Sequence, residues 1–317
     1  MNFTTITRVA AVQIEADLGN VDHNLEVCER QADRAAAEGA EWIALPEFFS
    51  TGVAFRTELS QDAASLDGAP KQLLSDLARR HGVHVGGSAL VRDDDGHVRN
   101  AFLLAGPDGE IIGRHDKDLP TMWESALYVG GTDPGRIETD SLTVGVALCW
   151  ELLRTQTVAR LADQVDLVLG GSGWWSIPEW PLMAGAEVRN ARRATTAPAV
   201  FARHVGAPVA HAAHAGELSC RFPATPLTYR GYCEGGAQIC DATGQVLAFR
   251  GREEGNGMVV AEVDARRSPG VPASDRFWLQ RRGTVAAMAW AYQNVHGRRV
   301  YDRLPAPAPD QARTVSA

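Results

Sequence analysis

Several things this sequence lacks narrow its function before anything it contains does. No apolar run reaches the roughly 18 residues that a bilayer-spanning helix needs. The opening stretch MNFTTITRVAAVQIEAD runs from apolar residues straight into acidic ones, which is not the layout of a signal peptide. Positive charge is also short: 31 Lys and Arg face 39 Asp and Glu, a formal net charge of −8. The basic clusters at Arg189, Arg192 and Arg193 and at Arg281–Arg282 are brief and local. Phosphate contacts need clustered Lys and Arg, so neither nucleic acid nor a membrane is expected as a partner. Cysteine is scarce and odd in number: Cys28, Cys149, Cys220, Cys233 and Cys240. That count suits free thiols in a reducing compartment, the cytoplasm, better than a disulfide framework.

What is present is the balance of a soluble globular protein, with 45% apolar and 22% charged residues over 317 positions. Short β-branched runs alternate with helical patterns. RVAAVQIEA (8–16) reads as a strand, and 20–39 as an amphipathic helix capped by Asn20 or Asp22 and stopped at Gly39. AEWIALPEF (40–48) reads as a buried strand, 70–82 as a helix closed by Gly82, and 83–91 as a strand. Residues 97–117 read as two strands joined by Pro-Asp-Gly. The pattern then repeats with strands at 142–149, 165–173 and 207–215, helices at 155–164 and about 181–205, a hairpin at 235–251, and a strand at 257–264. Continuous apolar strands beside helices predict an α/β sheet covered on at least one face. No break in composition divides residues 1–303. The Pro/Ala-rich stretch 304–317 reads as a mobile tail.

Four polar residues stand where strands are expected to end: Glu47, Lys117, Glu124 and Cys149. In α/β sheets, ligands and catalytic groups gather outside the strand ends. A buried carboxylate or ammonium at such a place needs a partner. A thiol, a carboxylate and an ammonium on one edge would neutralise one another and supply nucleophile, base and electrophile together.

Three blocks, LPEFFSTG (45–52), GRHDKDLPTMWE (113–124) and VGVALCWE (144–151), resemble the catalytic blocks of the nitrilase superfamily in order and spacing. The flanks at 9–26 and 235–247 resemble that family's first strand and helix and its late hairpin, so the likeness spans about 8–264. The resemblance implies a four-layer α-β-β-α sandwich and thiol-dependent cleavage of non-peptide carbon–nitrogen bonds, with no metal or organic cofactor. It matches Cys149 to the nucleophile, Glu47 to the general base, Lys117 to the cation beside the tetrahedral intermediate, and Glu124 to a second glutamate. The Trp150 backbone N–H is matched to the oxyanion. Trp174 and Trp175 would wall the acyl pocket, with core packing as the alternative role for both. The resemblance also implies pairing of subunits through helices into a homodimer or larger homo-oligomer. The aromatic segment 277–295, with Trp278, Trp290 and Tyr292, lies in the candidate arm at about 270–303.

Other candidates read as structural. His211 and His214 with Cys220 match metal spacing only loosely, and six residues separate Cys233 from Cys240, against the two to four of zinc knuckles. Gly170–Gly173 lacks the Gly-Lys-Ser/Thr of a phosphate loop. Arg192 and Arg193 fit the solvated face of a helix, with a substrate carboxylate as the alternative partner. Within the family, Cys-Trp-Glu and the Lys-x-x-Pro-Thr-x-x-Glu spacing at 117–124 lean toward nitrilases. The LLRTQT after the cysteine block and the missing Gly-Tyr-Pro after Glu47 lean away from them, and the Glu-Asn pair of ordinary amidases is missing too. A small-molecule amide is the first substrate expected and a nitrile the second. An amide-forming acyltransferase and a non-catalytic binding protein on the same scaffold are the further alternatives.

Overall fold

A computed structural model describes residues 6–177, 184–221, 228–273 and 284–303. The chain begins with β1 (Ile6–Ile14), α1 (Val21–Ala37), β2 (Trp42–Ala44), β3 (Ala64–Ser65), α2 (Ala69–His81) and β4 (His84–Arg92). It continues through β5 (Val98–Ala105), β6 (Ile111–Asp116), β7 (Arg136–Glu138), β8 (Thr143–Leu148), α3 (Thr155–Leu161) and β9 (Leu167–Ser172). Then follow α4 (Ala184–Val205), β10 (Val209–His214), β11 (Glu217–Arg221), β12 (Thr228–Tyr232), β13 (Ala237–Cys240), β14 (Val246–Arg250), β15 (Gly257–Asp264) and α5 (Thr284–Tyr301).

Local chemistry sets the boundaries. The Asn20 side chain accepts the His23 N–H at the start of α1, and Gly82 ends α2 at φ 66°, a left-handed position open to glycine at little cost. The strand expected over 40–48 is shorter, three residues, because Pro46 has no donor for a ladder and Phe48 turns the chain at φ 54°. The three-residue β7 is too short to carry a periodic signal, whereas β11, ELSCR, alternates strictly between polar and apolar and pairs with β12 in a hairpin that the sequence reading does not include.

Alternation along the strands builds the layers. On β1, Val9 and Ala11 face one way and Ala10, Val12 and Ile14 the other. The sheet path runs β6-β5-β4-β2-β1-β10-β9-β8-β7. β15 lies antiparallel along β1 from Ile6 to Gln13, so β10 meets β1 only at Gln13 and Ile14. The path folds there into two halves, one bearing β15 on β1 and the other β13 and β14 on β10. Val9, Ala11, Trp42, Phe102, Val144, Val146, Leu169 and Ala212 fill the space between the halves. Ala10, Val12 and Ile14 pack with Val27 and Leu74 of α1 and α2 outside one half. Val168 and Val209 pack with Leu161 and Phe201 of α3 and α4 outside the other. Each fully buried Val or Leu contributes about 1.5–3 kcal/mol. The result is the four-layer α-β-β-α sandwich.

The closure brings the outermost strands together. A Cβ at Gly113 on β6 would fall 2.3 Å from Ile137 on β7, so only glycine lets those strands pack. The ends of β6 and β8, far apart along the sheet path, therefore lie near each other. α5 packs against the turn Met122–Ala126, and the Tyr301 hydroxyl accepts the Val98 N–H at 2.9 Å. Met288, Tyr292 and Val295 are exposed on α5. Trp278, the Trp290 side chain and the tail after Arg303 lie outside the described residues.

Candidate active site

Glu47, Lys117 and Cys149 each follow the carboxyl end of a strand, β2, β6 and β8 respectively. The loop after β6 leads to Thr121, where a short 3-10 turn places Glu124. Among the described residues four non-glycine positions have positive φ, and three of them, Phe48, Met122 and Cys149, lie in these same loops. Such conformations cost about 1–3 kcal/mol each and persist where the surroundings over-determine them, a pattern concentrated at functional sites. Cys149 itself sits at φ 50°, so the chain turns sharply at the residue after β8.

The structure brings Glu47, Lys117 and Glu124 into one fully enclosed cluster. The Lys117 Nζ donates to Glu47 Oε1 at 2.8 Å and to Glu124 Oε2 at 2.6 Å. Glu47 Oε1 also accepts from the Asn100 amide at 2.9 Å, and Oε2 accepts the Gly173 N–H at 3.0 Å. Its backbone carbonyl is bonded to His214 Nε2 at 2.6 Å. Glu124 Oε2 accepts from the Tyr128 hydroxyl at 2.5 Å and from the Thr121 N–H at 2.9 Å. Both glutamates are thus fixed by several donors, which holds the ammonium in one place.

Burial opposes the charge on Lys117, but the Glu124 and Glu47 carboxylates outweigh it and hold the ammonium well above its usual range. Burial raises the Glu124 carboxyl; Lys117 pulls it down and Glu47 adds to the rise, for a net upward shift. The Cys149 thiol is raised well above its usual range by burial and by Glu47, while Lys117 and the Trp150 N–H act in the opposite sense. At neutral pH the Cys149 thiol therefore keeps its proton.

The glycine-rich end of β9 has a reason that spacing alone does not show. A Cβ at Gly171 would meet the Glu47 nitrogen at 2.9 Å, so glycine permits β9 to approach the Glu47 backbone. Gly173 then donates to the same carboxylate.

Trp174 is buried, its indole N–H donating to Asn190 at 3.1 Å and its ring 6.2 Å from that of Trp150. Trp175 is half-buried and meets Phe55 edge-on at 4.5 Å. His211 is bonded through Nε2 to Ser172 at 3.0 Å, and burial lowers it to about 3. Arg192 is exposed on α4 and Arg193 half-buried. No group of three His, Cys, Asp or Glu side chains among the described residues is arranged to hold a metal ion. No described helix is long and apolar enough to cross a membrane. Asn100, Tyr128, Gly173 and His214 were not singled out in the sequence for this cluster. The only advance signals were the glycine run and the apolar strand carrying His214.

The carbon-nitrogen hydrolase family profile matches residues 8–269. With a buried lysine between two glutamates and a cysteine on the turn after β8, the chain belongs to the carbon-nitrogen hydrolase family. It is similar to the 2-oxoglutaramate amidase of Bacillus subtilis, 25% identical over 270 residues, covering 84% of this chain and 94% of that protein. It is also similar to the omega-amidase NIT2 of Danio rerio, 29% identical over 156 residues, or 46% of this chain. That match spans only 55% of the omega-amidase, just over half its length. Its fold matches a cysteine-to-alanine mutant of the Nesterenkonia AN1 amidase from the nitrilase superfamily. The TM-score is 0.63 at 21% identity, covering 90% of this chain and 97% of that one. Several of these relatives carry amidase in their names.

Proposed function

We propose that the protein cleaves a small-molecule amide to a carboxylic acid and ammonia or an amine, through a thioester on Cys149. The observation that carries this reading is the Lys117 ammonium held at 2.8 and 2.6 Å between Glu47 and Glu124, with the thiol on the adjoining turn. Glu47 takes the thiol proton as Cys149 Sγ attacks the carbonyl carbon. The oxyanion forms against Lys117 and the Trp150 N–H, each well-placed donor contributing roughly 3–4 kcal/mol. Glu47 returns the proton to the nitrogen, the carbon–nitrogen bond breaks and the amine leaves. Water, deprotonated by Glu47, then attacks the thioester; the acid departs and the sulfur is reprotonated. Glu124 keeps the ammonium charged and in place. In this reading Trp174 and Trp175, in the loop after β9, wall the acyl pocket.

The relatives named 2-oxoglutaramate amidase and omega-amidase support the choice of an amide over a nitrile. Five free, buried cysteines support a reducing, cytoplasmic setting. The exposed Met288, Tyr292 and Val295 on α5 support subunit pairing through the arm at about 270–303.

The test is ammonia release from a panel of amides and nitriles, with and without an added amine acceptor. Intact-mass measurement during turnover reports the adduct. Amide turnover with an acyl adduct on Cys149, both lost in Cys149→Ala, is the expected outcome. Turnover retained in Cys149→Ala overturns the reading. Nitrile turnover alone, or product retaining the added amine, replaces it with a nitrilase or an acyltransferase.

A further inference from the structure

Beside the Lys117 cluster lies a second buried ionic group to which the mechanism assigns no step. The Glu151 carboxylate is buried and accepts four hydrogen-bond contacts: from His115 Nε2 at 3.2 Å to Oε1 and 3.1 Å to Oε2, from the Asp118 N–H at 3.0 Å, and from the Leu148 N–H at 2.9 Å. His115 Nδ1 in turn meets Asp133 at 2.5 Å, and the other Asp133 oxygen accepts the Asp116 N–H at 2.9 Å. Arg160 approaches Glu151 at 4.0 Å and pairs with Asp118 at 3.2 Å, and Arg154 also pairs with Asp118.

The two backbone anchors are the informative ones. Asp118 is the residue after Lys117, and Leu148 is the residue before Cys149. β6 and β8 lie toward opposite ends of the sheet path and share no ladder hydrogen bonds. Among the described residues no backbone hydrogen bond joins the lysine loop directly to the cysteine turn; the segment 131–135 links them at one remove, its Gly131 N–H donating to the Lys117 carbonyl and its Gly135 carbonyl accepting the Val146 N–H of β8. We propose that Glu151 is a positioning residue that clamps these two loops together and sets Lys117 against the Cys149 sulfur. This deepens, and rests on, the reading of Cys149 as the nucleophile.

The choice of glutamate follows from the geometry. Only a carboxylate offers enough acceptor capacity for two backbone N–H groups and an imidazole at once. The protonated His115 between two carboxylates then offsets the buried negative charge. A glutamine keeps one oxygen but turns its other terminus into a donor, pointed at an N–H or at His115. An aspartate keeps the charge but is shorter by one methylene, so it cannot reach both anchors in the same pose. A displacement of about 1 Å between reacting groups is enough to cost on the order of 100-fold in rate.

The experiment uses the full chain with Glu151→Gln, Glu151→Asp and Cys149→Ala, assayed on the best amide. Each variant is also alkylated with iodoacetamide across pH, with the label located by mass. The expected result for Glu151→Gln is a 10- to 100-fold fall in kcat with KM within about threefold. Alkylation of Cys149 should still reach one per chain, but more slowly, with its half-maximal rate moved to higher pH because Lys117 no longer stands against the sulfur. Those readouts separate positioning from a loss of folded protein, which would expose the other four buried thiols, raise the label above one per chain and move labelling toward the pH of an ordinary exposed thiol. Should Glu151→Gln not fold, the same readouts on Glu151→Asp decide the matter. Wild-type kcat and an unmoved alkylation profile in the folded variant, with Cys149→Ala inactive, overturn this inference alone. An active Cys149→Ala overturns it together with the thiol reading.

Discussion

Two ion-pair clusters in this protein have almost the same parts and different anchors. In one, Lys117 lies between Glu47 and Glu124; in the other, His115 lies between Asp133 and Glu151. Each has a cation between two carboxylates near the carboxyl end of β6, although Arg160 also reaches Glu151 at 4.0 Å in the second. The difference is in what occupies the remaining oxygens. Around His115 they are saturated by backbone N–H groups of Asp116, Gly135, Asp118 and Leu148, so the charges hold loops in place. Around Lys117 most donors are side chains, from Asn100 and Tyr128 as well as the lysine, and the Cys149 thiol interacts electrostatically with the same three charged groups. Ion pairs tied to the backbone brace a structure. Ion pairs tied to side chains beside Cys149, in the proposed reading, exchange protons with a substrate.

The largest expected effect that separates the two comes from Lys117→Met. It leaves two buried carboxylates without their cation, so stability should fall by about 3–5 kcal/mol and turnover should vanish. Chemical denaturation and ammonia release check both; a stable, active variant would remove the electrostatic basis of the site.

The His115 cluster should instead reveal itself in pH dependence. Burial opposes the imidazolium, but Glu151 and Asp133 outweigh it and raise His115 from 6.5 to about 10. A raised pKa stabilises the fold fully below the unfolded value and loses that contribution as pH rises through the folded one. Burial alone would raise Glu151, yet His115 and the N–H groups of Asp118 and Leu148 hold it at about 2. Its contribution is therefore present above the ordinary carboxylate range and lost as pH falls toward that value. The melting-temperature gap between the wild type and His115→Gln should be widest near pH 6, then narrow toward pH 10 and in strong acid. A gap that is flat with pH would mean the histidine is neutral.

The smallest expected effect falls on the only other lysine in the sequence. Lys71 bridges Asp67 on the surface at 2.5 Å. Lys71→Met should change stability by less than about 1 kcal/mol and leave turnover unchanged. Activity lost there would show that lysine chemistry is not confined to the buried site.

Much of the site was legible because its residues stand at strand ends inside motifs that keep their order. Glu47, Lys117 and Cys149 each follow an apolar run, and a charged or reactive group at such a point needs a buried partner. Glu124, which could equally have been a solvated loop carboxylate, is enclosed on the same ammonium. Asn100 and Tyr128 gave no signal, because their partners are distant in sequence and polar residues in strands and loops are common. The glycine run 170–173 could be excluded as a phosphate loop but not explained until β9 was seen against the Glu47 backbone. Glu151 was readable only as a mark of family branch.

The sequence by itself determined the alternation of strands and helices, the faces each strand buries and the residues proposed to carry the chemistry, because periodicity, capping and motif order are local properties. Only the tertiary structure decided that the sheet folds at the two-residue contact of β1 with β10. It therefore also decided that the ends of β6 and β8 meet. Distances between groups far apart in the chain depend on how layers close, and closure is set by the packed core as a whole. That is why Glu151 became a clamp between the lysine and cysteine loops only when the layers were in place.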